Sequence, residues 1–94
     1  MLTFFGMPFV VYILYSPSSD KIYIGFTENL IQRFYWHNNG PKGFTKKYRP
    51  WIVVYVEYLN TKTEALQREK NLKGGQGRAW IRQNLNKELG FISA

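Results

Sequence analysis

Six carboxylates are all that this sequence offers for acid–base or metal chemistry, so each can be weighed separately. Asp20 falls among turn-forming residues. Glu28 and Glu64 suit helix N-termini, where a negative charge meets the helix dipole. Glu88 belongs near the end of a last helix, solvated, and Glu57, late in a strand, reads as solvent-facing. Glu69 is different. At about 100° per residue it falls between Ala65 and Leu66, on the apolar stripe that Leu72 continues. A carboxylate on a packing face must be paired, protonated or bound to a hard cation. Lys73, four residues on, offers the pairing. Position alone leaves both readings open.

Two tyrosines sit where a hydroxyl would be held rather than solvated. Tyr12 lies inside the apolar run 9–15, and Tyr23 stands just before Ile24-Gly25. A glycine inside a strand marks a bulge or a close backbone approach. Taken singly, such tyrosines are also ordinary core residues with a satisfied hydroxyl. Arg33 and His37 are four apart and so share a helix face. The absence of cysteine excludes a disulfide, a thiolate zinc site and a thiol nucleophile, and a single histidine argues against any other zinc site. No G-x-S-x-G or phosphate-loop pattern is present.

The elements that must position these groups can be read from pattern. The continuous run 9–15 predicts a strand covered on both faces. Ser16-Pro17-Ser18-Ser19-Asp20 is turn chemistry, so 21–26 returns as the second strand of a hairpin. Thr27 is the predicted cap of a helix reaching about Asn38, with Glu28 in its first turn and Leu30, Phe34 and His37 at helical spacing. Asn39-Gly40-Pro41 stops it. A basic loop leads to Pro50 and a third strand at 51–59. Thr61-Lys62-Thr63-Glu64 is a capping box that starts a second helix, which ends at Gly74-Gly75. A third helix is predicted over 78–89, with Ile81, Leu85 and Leu89 on one stripe. The order ββαβαα gives an α+β fold, a small three-stranded antiparallel sheet flanked by three helices.

With 94 residues, 45% of them apolar and 18% aromatic, the chain has material for one core. The stretch 1–8 reads as an apolar leader, 9–89 as the domain and 90–94 as a tail. The apolar stretch 1–15 lacks a positive n-region and a small-residue cleavage site, Pro8 interrupts it, and it is too short to span a bilayer. A cytoplasmic protein is expected. Thirteen Lys and Arg against six Asp and Glu leave a net charge of +7. All the cations but Lys21 lie from Arg33 onward. Such an excess points to a polyanion, with nucleic acid ahead of an anionic membrane surface. Lys42, Lys46, Lys47, Arg49 and Arg78 are the expected contacts to DNA backbone phosphates, which position a duplex without reading its sequence. Trp80 either extends that footprint or joins the core.

In combination these residues resemble a known pattern. Val10-Val11-Tyr12 followed by Tyr23-Ile24-Gly25 is similar to the paired tripeptides of the GIY-YIG endonuclease superfamily. Leu30-Ile31-Gln32-Arg33 with His37 resembles its L-x-x-R-x-x-x-H, and Ala65-Leu66-Gln67-Arg68-Glu69 its A-L-x-x-E. Lys46-Lys47-Tyr48-Arg49-Pro50 and Leu72-Lys73-Gly74-Gly75-Gln76-Gly77-Arg78 resemble its short stand-alone bacterial members, themselves similar to the nuclease domain of the excision-repair protein UvrC. The likeness spans about 9–89. Val10 replaces the first glycine, and Phe26 stands where the excision-repair relatives carry a lysine. The resemblance implies a divalent-metal-dependent endonuclease acting in DNA repair or recombination. Glu69 would hold one Mg²⁺ or Mn²⁺. Tyr12 would orient or deprotonate the attacking water beside Tyr23, and Arg33 would stabilise phosphoryl charge. His37 would share the base role or bind phosphate. No base-reading module is attached, so selectivity for branched, flapped or nicked DNA is expected over sequence specificity. Two rival readings are a nucleic-acid-binding module without activity and a nuclease that acts only with a protein partner.

Overall fold

A computed structural model describes residues 6–41, 43–86 and 90–91. Its centre is strand β1 (Phe9–Ser16), which pairs antiparallel with β2 (Lys21–Thr27) on one side and β3 (Ile52–Leu59) on the other. From Val10 to Ser16 every residue of β1 is buried, as its unbroken apolar run predicted. Alternate side chains then serve opposite faces. Val11, Ile13 and Tyr15 join Ile24, Val54, Ala65, Leu72 and Ile81 in one cluster, under helices α2 (Lys62–Lys73) and α3 (Gly75–Asn84). Tyr12 and Leu14 join Trp51 on the other face, closed by Leu30 and Phe34 of helix α1 (Leu30–Asn39) and by Tyr48. The sheet is thus sandwiched, and the α+β class with three helices on three antiparallel strands is the one expected.

Several boundaries differ from expectation. Asn29, not Thr27, caps α1: its side chain accepts from the Gln32 amide at 3.1 Å. Thr27 remains in β2, its hydroxyl accepting from the Asn29 amide at 3.1 Å, and Glu28 therefore precedes the helix. The capping box at Thr61 and Glu64 forms as predicted. Gly74 both ends α2 and caps α3, so α3 begins at Gly75 rather than 78. It ends at Asn84, whose side chain donates to the Trp80 carbonyl at 2.8 Å. Leu85 leaves the helix and pairs with Phe91 across a two-residue ladder, β4 (Leu85–Asn86) with β5 (Gly90–Phe91). The fourfold spacing of Ile81, Leu85 and Leu89 suggested a longer helix. Asn84, whose side chain turns back to the Trp80 carbonyl, stands at the break. Leu89 and Glu88 lie outside the described residues.

The expected basic loop contains a 3₁₀ turn, Phe44–Tyr48, which buries Thr45. On α2 only Ala65 and Leu72 are buried, seven apart and so nearly eclipsed on the helix. Leu66 lies about 100° away from Ala65 and is 46% exposed, which corrects its place in the stripe. No helix among the described residues is long and apolar enough to cross a membrane.

Candidate active site

Strand register brings the two tyrosines together. Tyr12 stands opposite Gly25 across the β1–β2 ladder, and Tyr23 precedes that glycine by one pleat. The Tyr12 ring crosses Gly25 so closely that a Cβ there would sit 2.8 Å from the hydroxyl and 3.0 Å from Cε1 of Tyr23. The glycine therefore provides a close approach, as its place in a strand suggested. The two phenol rings lie 6.2 Å apart.

Helix α1 supplies Arg33 and His37 to the same face. The Tyr12 hydroxyl is 2.8 Å from Nε2 of His37, and Nδ1 of His37 is 2.9 Å from the Thr45 hydroxyl. All three side chains are buried. The Tyr23 ring meets the imidazole edge-on at 4.7 Å. Burial first, then the charges of Arg33 and Arg49, lower the His37 pKa from 6.5 to about 4, so the ring is neutral near pH 7. A neutral imidazole has one donor and one acceptor. Either Tyr12 donates to Nε2 while Nδ1–H donates to Thr45, or Thr45 donates to Nδ1 while Nε2–H donates to Tyr12. Both satisfy the chain, and they run in opposite directions.

This geometry corrects one expectation. His37 is fully buried with both ring nitrogens engaged, one on the Tyr12 hydroxyl and one on Thr45, which leaves neither free for a phosphate. Burial also raises the Tyr12 pKa to about 12. A hydrogen bond and charge from Arg33 pull it down, while Tyr23 and, least, Glu69 push it up. Burial thus disfavours both the phenolate and the imidazolium that a proton transfer between them would create. The contact holds the Tyr12 hydroxyl in a fixed direction. Burial alone would lower Arg33, but its hydrogen bonds to Tyr12 and Tyr23 outweigh that and raise its pKa. The guanidinium also lies over the Trp36 ring at 4.5 Å.

Glu69 is held between the two environments foreseen for it. Its side chain keeps 19% of its exposure, and Oε2 is 3.3 Å from the Lys73 ammonium. It is also near enough to Tyr12 to act on its ionisation. The donor set fits a hard cation carrying mostly water: one half-buried carboxylate with phenols nearby, and no cysteine. Among the described residues no group of three or more His, Cys, Asp or Glu could hold a metal. Glu57, expected to face solvent, instead accepts from Arg68 Nε and from the Tyr55 hydroxyl, both at 2.9 Å. The cause is α2, which brings Arg68 across the edge strand β3.

The cations divide into two kinds. Lys46 and Lys47 are exposed; the Lys46 ammonium donates to the Pro41 carbonyl at 3.0 Å. Arg78 is exposed, its Nε donating to the Lys73 carbonyl at 3.0 Å. Lys42 lies outside the described residues. Arg49 departs from its expected phosphate role. Its guanidinium turns inward to the carbonyls of His37 at 2.6 Å, Gly40 at 2.5 Å and Trp36 at 3.3 Å. It caps the C-terminal end of α1, adding to the Gly40 amide on the Trp36 carbonyl and reaching the His37 and Gly40 carbonyls beyond it. Trp80 packs against the core, edge-on to Tyr55 at 5.5 Å.

Two site residues had no signal in sequence. Thr45 is one threonine in a basic loop, and its burial follows from the 3₁₀ turn. Trp51 fixes that turn by donating from Nε1 to the Thr45 carbonyl at 2.7 Å. Asn38 clamps Trp51 in turn, accepting from its amide at 2.7 Å and donating to its carbonyl at 3.1 Å.

Comparison with known proteins agrees with this geometry. Residues 8–86 match the model of the GIY-YIG catalytic domain. A UPF0213 protein of Staphylococcus haemolyticus is 40% identical over 65 residues, covering 67% of this chain and 77% of that protein. A UPF0213 protein of Staphylococcus epidermidis is 42% identical over 65 residues, with the same coverage of 67% and 77%. One of Syntrophus aciditrophicus is 39% identical over 66 residues, covering 67% of this chain and 74% of that protein. The family match spans nearly the whole chain and takes in the strands and helices that carry Tyr12, Tyr23, Arg33, His37 and Glu69: this chain belongs to the GIY-YIG family of nuclease catalytic domains.

Proposed function

We propose that the chain is an endonuclease that hydrolyses DNA phosphodiester bonds, selective for branched, flapped or nicked structure and serving repair or recombination. The observation that carries this reading is the meeting of Tyr12, Tyr23 and Arg33, from β1, β2 and α1, beside the Glu69 carboxylate of α2. Tyr23 is the half-buried phenol and Tyr12 the buried one. Tyr23 and Arg33 then meet the water and the phosphate, and Tyr12 works behind them, its hydroxyl held by His37. Arg33, a guanidinium hydrogen-bonded to both phenols, suits the charge that builds on the phosphoryl oxygens. Glu69 would hold one Mg²⁺ or Mn²⁺, which when bound supplies Lewis acidity toward a phosphate oxygen. Lys46, Lys47 and Arg78 would contact backbone phosphates, and their exposure supports that role.

The test is incubation of the protein with labelled duplex, flap and four-way-junction DNA, in Mg²⁺, Mn²⁺ or EDTA, beside Glu69→Gln. Metal-dependent cutting that the variant loses, with DNA binding retained, supports the assignment. Equal cutting by the variant overturns Glu69 as the metal ligand. Tight, salt-dependent binding with no products in any metal overturns the nuclease in favour of a binding module.

A further inference from the structure

Phe44 is one of several large hydrophobic side chains left exposed, and it is the one that lines a groove at the active-site Tyr23. It is 62% exposed although it lies in an ordered 3₁₀ turn beside the aromatic core. Its ring is tilted against Tyr48 at 5.2 Å, which leaves most of its surface free. The turn that presents it is pinned. Gly43 before it has φ of 117°, a backbone that favours glycine, and a Cβ there would lie 2.7 Å from the Trp36 ring. Phe44 is also one wall of a groove of about 280 Å³, with Ile22, Tyr23, Ile24, Lys73 and Arg78. The groove therefore joins a free aromatic ring, two cations and one phenol of the active site. Lys21 and Lys47 lie near the Tyr48 ring behind it, at 5.5 and 5.7 Å.

We propose that this groove holds one unpaired nucleotide of the DNA substrate, its base stacked on Phe44 and its flanking phosphates drawn to Lys73 and Arg78. The chemistry selects this occupant. An apolar, aromatic wall with cations at its rim matches a flat base joined to anionic phosphates. A base inside a duplex has both faces covered by its neighbours, so only an unpaired one offers a free face to the ring. Lys73 is already 3.3 Å from Glu69, so a phosphate drawn to it enters beside the carboxylate and Tyr23. The groove would thus place a single-strand junction at the chemistry. This inference rests on the nuclease reading and supplies its structural selectivity.

Binding separates the two ideas. Equilibrium binding is measured in EDTA, where no cutting is needed, to a flap carrying 2-aminopurine in its unpaired arm and to a perfect duplex of equal length. The proteins are the natural chain, Phe44→Ala, Phe44→Tyr and, as a control, Tyr35→Ala, another exposed aromatic (67%) outside the groove. Base–aromatic stacking predicts that Phe44→Ala weakens flap binding about tenfold, loses the 2-aminopurine quenching and changes duplex binding less than twofold. Phe44→Tyr should restore both readouts, and Tyr35→Ala should change neither. Equal loss on flap and duplex, no loss at all, or the same loss with Tyr35→Ala would overturn the groove. Phe44-dependent flap binding with no cutting in Mg²⁺ or Mn²⁺ would keep the groove and sink the nuclease. Cutting without Phe44 dependence would do the reverse.

Discussion

Lowering the pH should weaken the fold through His37, by an amount that its surroundings set. In the folded chain burial and two arginines hold its pKa at about 4, against 6.5 for an exposed histidine. Between those values the unfolded chain binds a proton that the folded one refuses. Stability is therefore intact above pH 6.5 and is lost progressively as pH falls toward 4. A gap of about 2.5 pH units, at ~1.4 kcal/mol each, makes about 3 kcal/mol. That is a large share of the 5–15 kcal/mol typical of a domain. Ion pairs such as Arg68–Glu57 and Arg82–Asp20 also weaken in acid, so the informative quantity is a difference. His37→Gln keeps an amide able to bridge Tyr12 and Thr45 but cannot titrate. Urea unfolding of both proteins is followed by tryptophan fluorescence at pH 7, 6, 5 and 4. The natural chain should be the more stable at pH 7, and its advantage should shrink by about 3 kcal/mol by pH 4. With a urea slope near 1.5 kcal/mol per M, this moves the midpoints by about 2 M relative to each other. Parallel stability curves across that range would refute a neutral, buried imidazole.

Three other variants test separate joints. Arg49→Lys cannot span three carbonyls with one ammonium, and should cost about 2 kcal/mol, or roughly 10 °C in Tm, by calorimetry; an unchanged Tm would show that the contacts to the end of α1 do not hold the loop. Gly25→Ala drives a Cβ into the packed Tyr12 ring, and should destabilise by about 2 kcal/mol and shift the ultraviolet titration of the phenol, whereas an unchanged Tm would show that the ring gives way freely. Lys46→Ala with Lys47→Ala should weaken binding to all DNA sequences alike and lower the salt slope by about two; a change confined to one sequence would contradict a backbone role.

The fold was legible where one physical demand had one answer. Nothing but burial on both faces explains an apolar run like 9–15, and a capping box at Thr61 has little other use. The tyrosines and Arg33 were expected together from the resemblance to the GIY-YIG pattern; spacing alone left each of them readable as an ordinary core or surface residue. Arg49 was misread because sequence gives a cation's charge and not its direction. In a loop dense in lysines it looked like one more phosphate contact, and only the fold shows α1 ending within its reach. Thr45 was invisible for a related reason: its partner His37 is eight residues away and meets it only once the 3₁₀ turn forms. Glu57 was misjudged because an edge strand looks exposed until a helix crosses it.

The resting site is not yet a base, and this gives Glu69→Gln a meaning beyond loss of a ligand. With a pKa near 12, Tyr12 is ionised in roughly one molecule in 30,000 at pH 7.5. The Glu69 carboxylate contributes to that, since its negative charge is among the causes holding the phenol up. Removing the charge alone should therefore lower the Tyr12 pKa slightly, in a direction that favours a phenolate. If phenol acidity limited cleavage, Glu69→Gln would cut as fast as the natural chain or faster. If the carboxylate holds the cation, the same variant loses cleavage while its Tyr12 titrates lower. Ultraviolet titration and a cleavage assay on one protein thus pull in opposite directions, and loss of cleavage despite a more acidic phenol assigns Glu69 to the metal rather than to the proton.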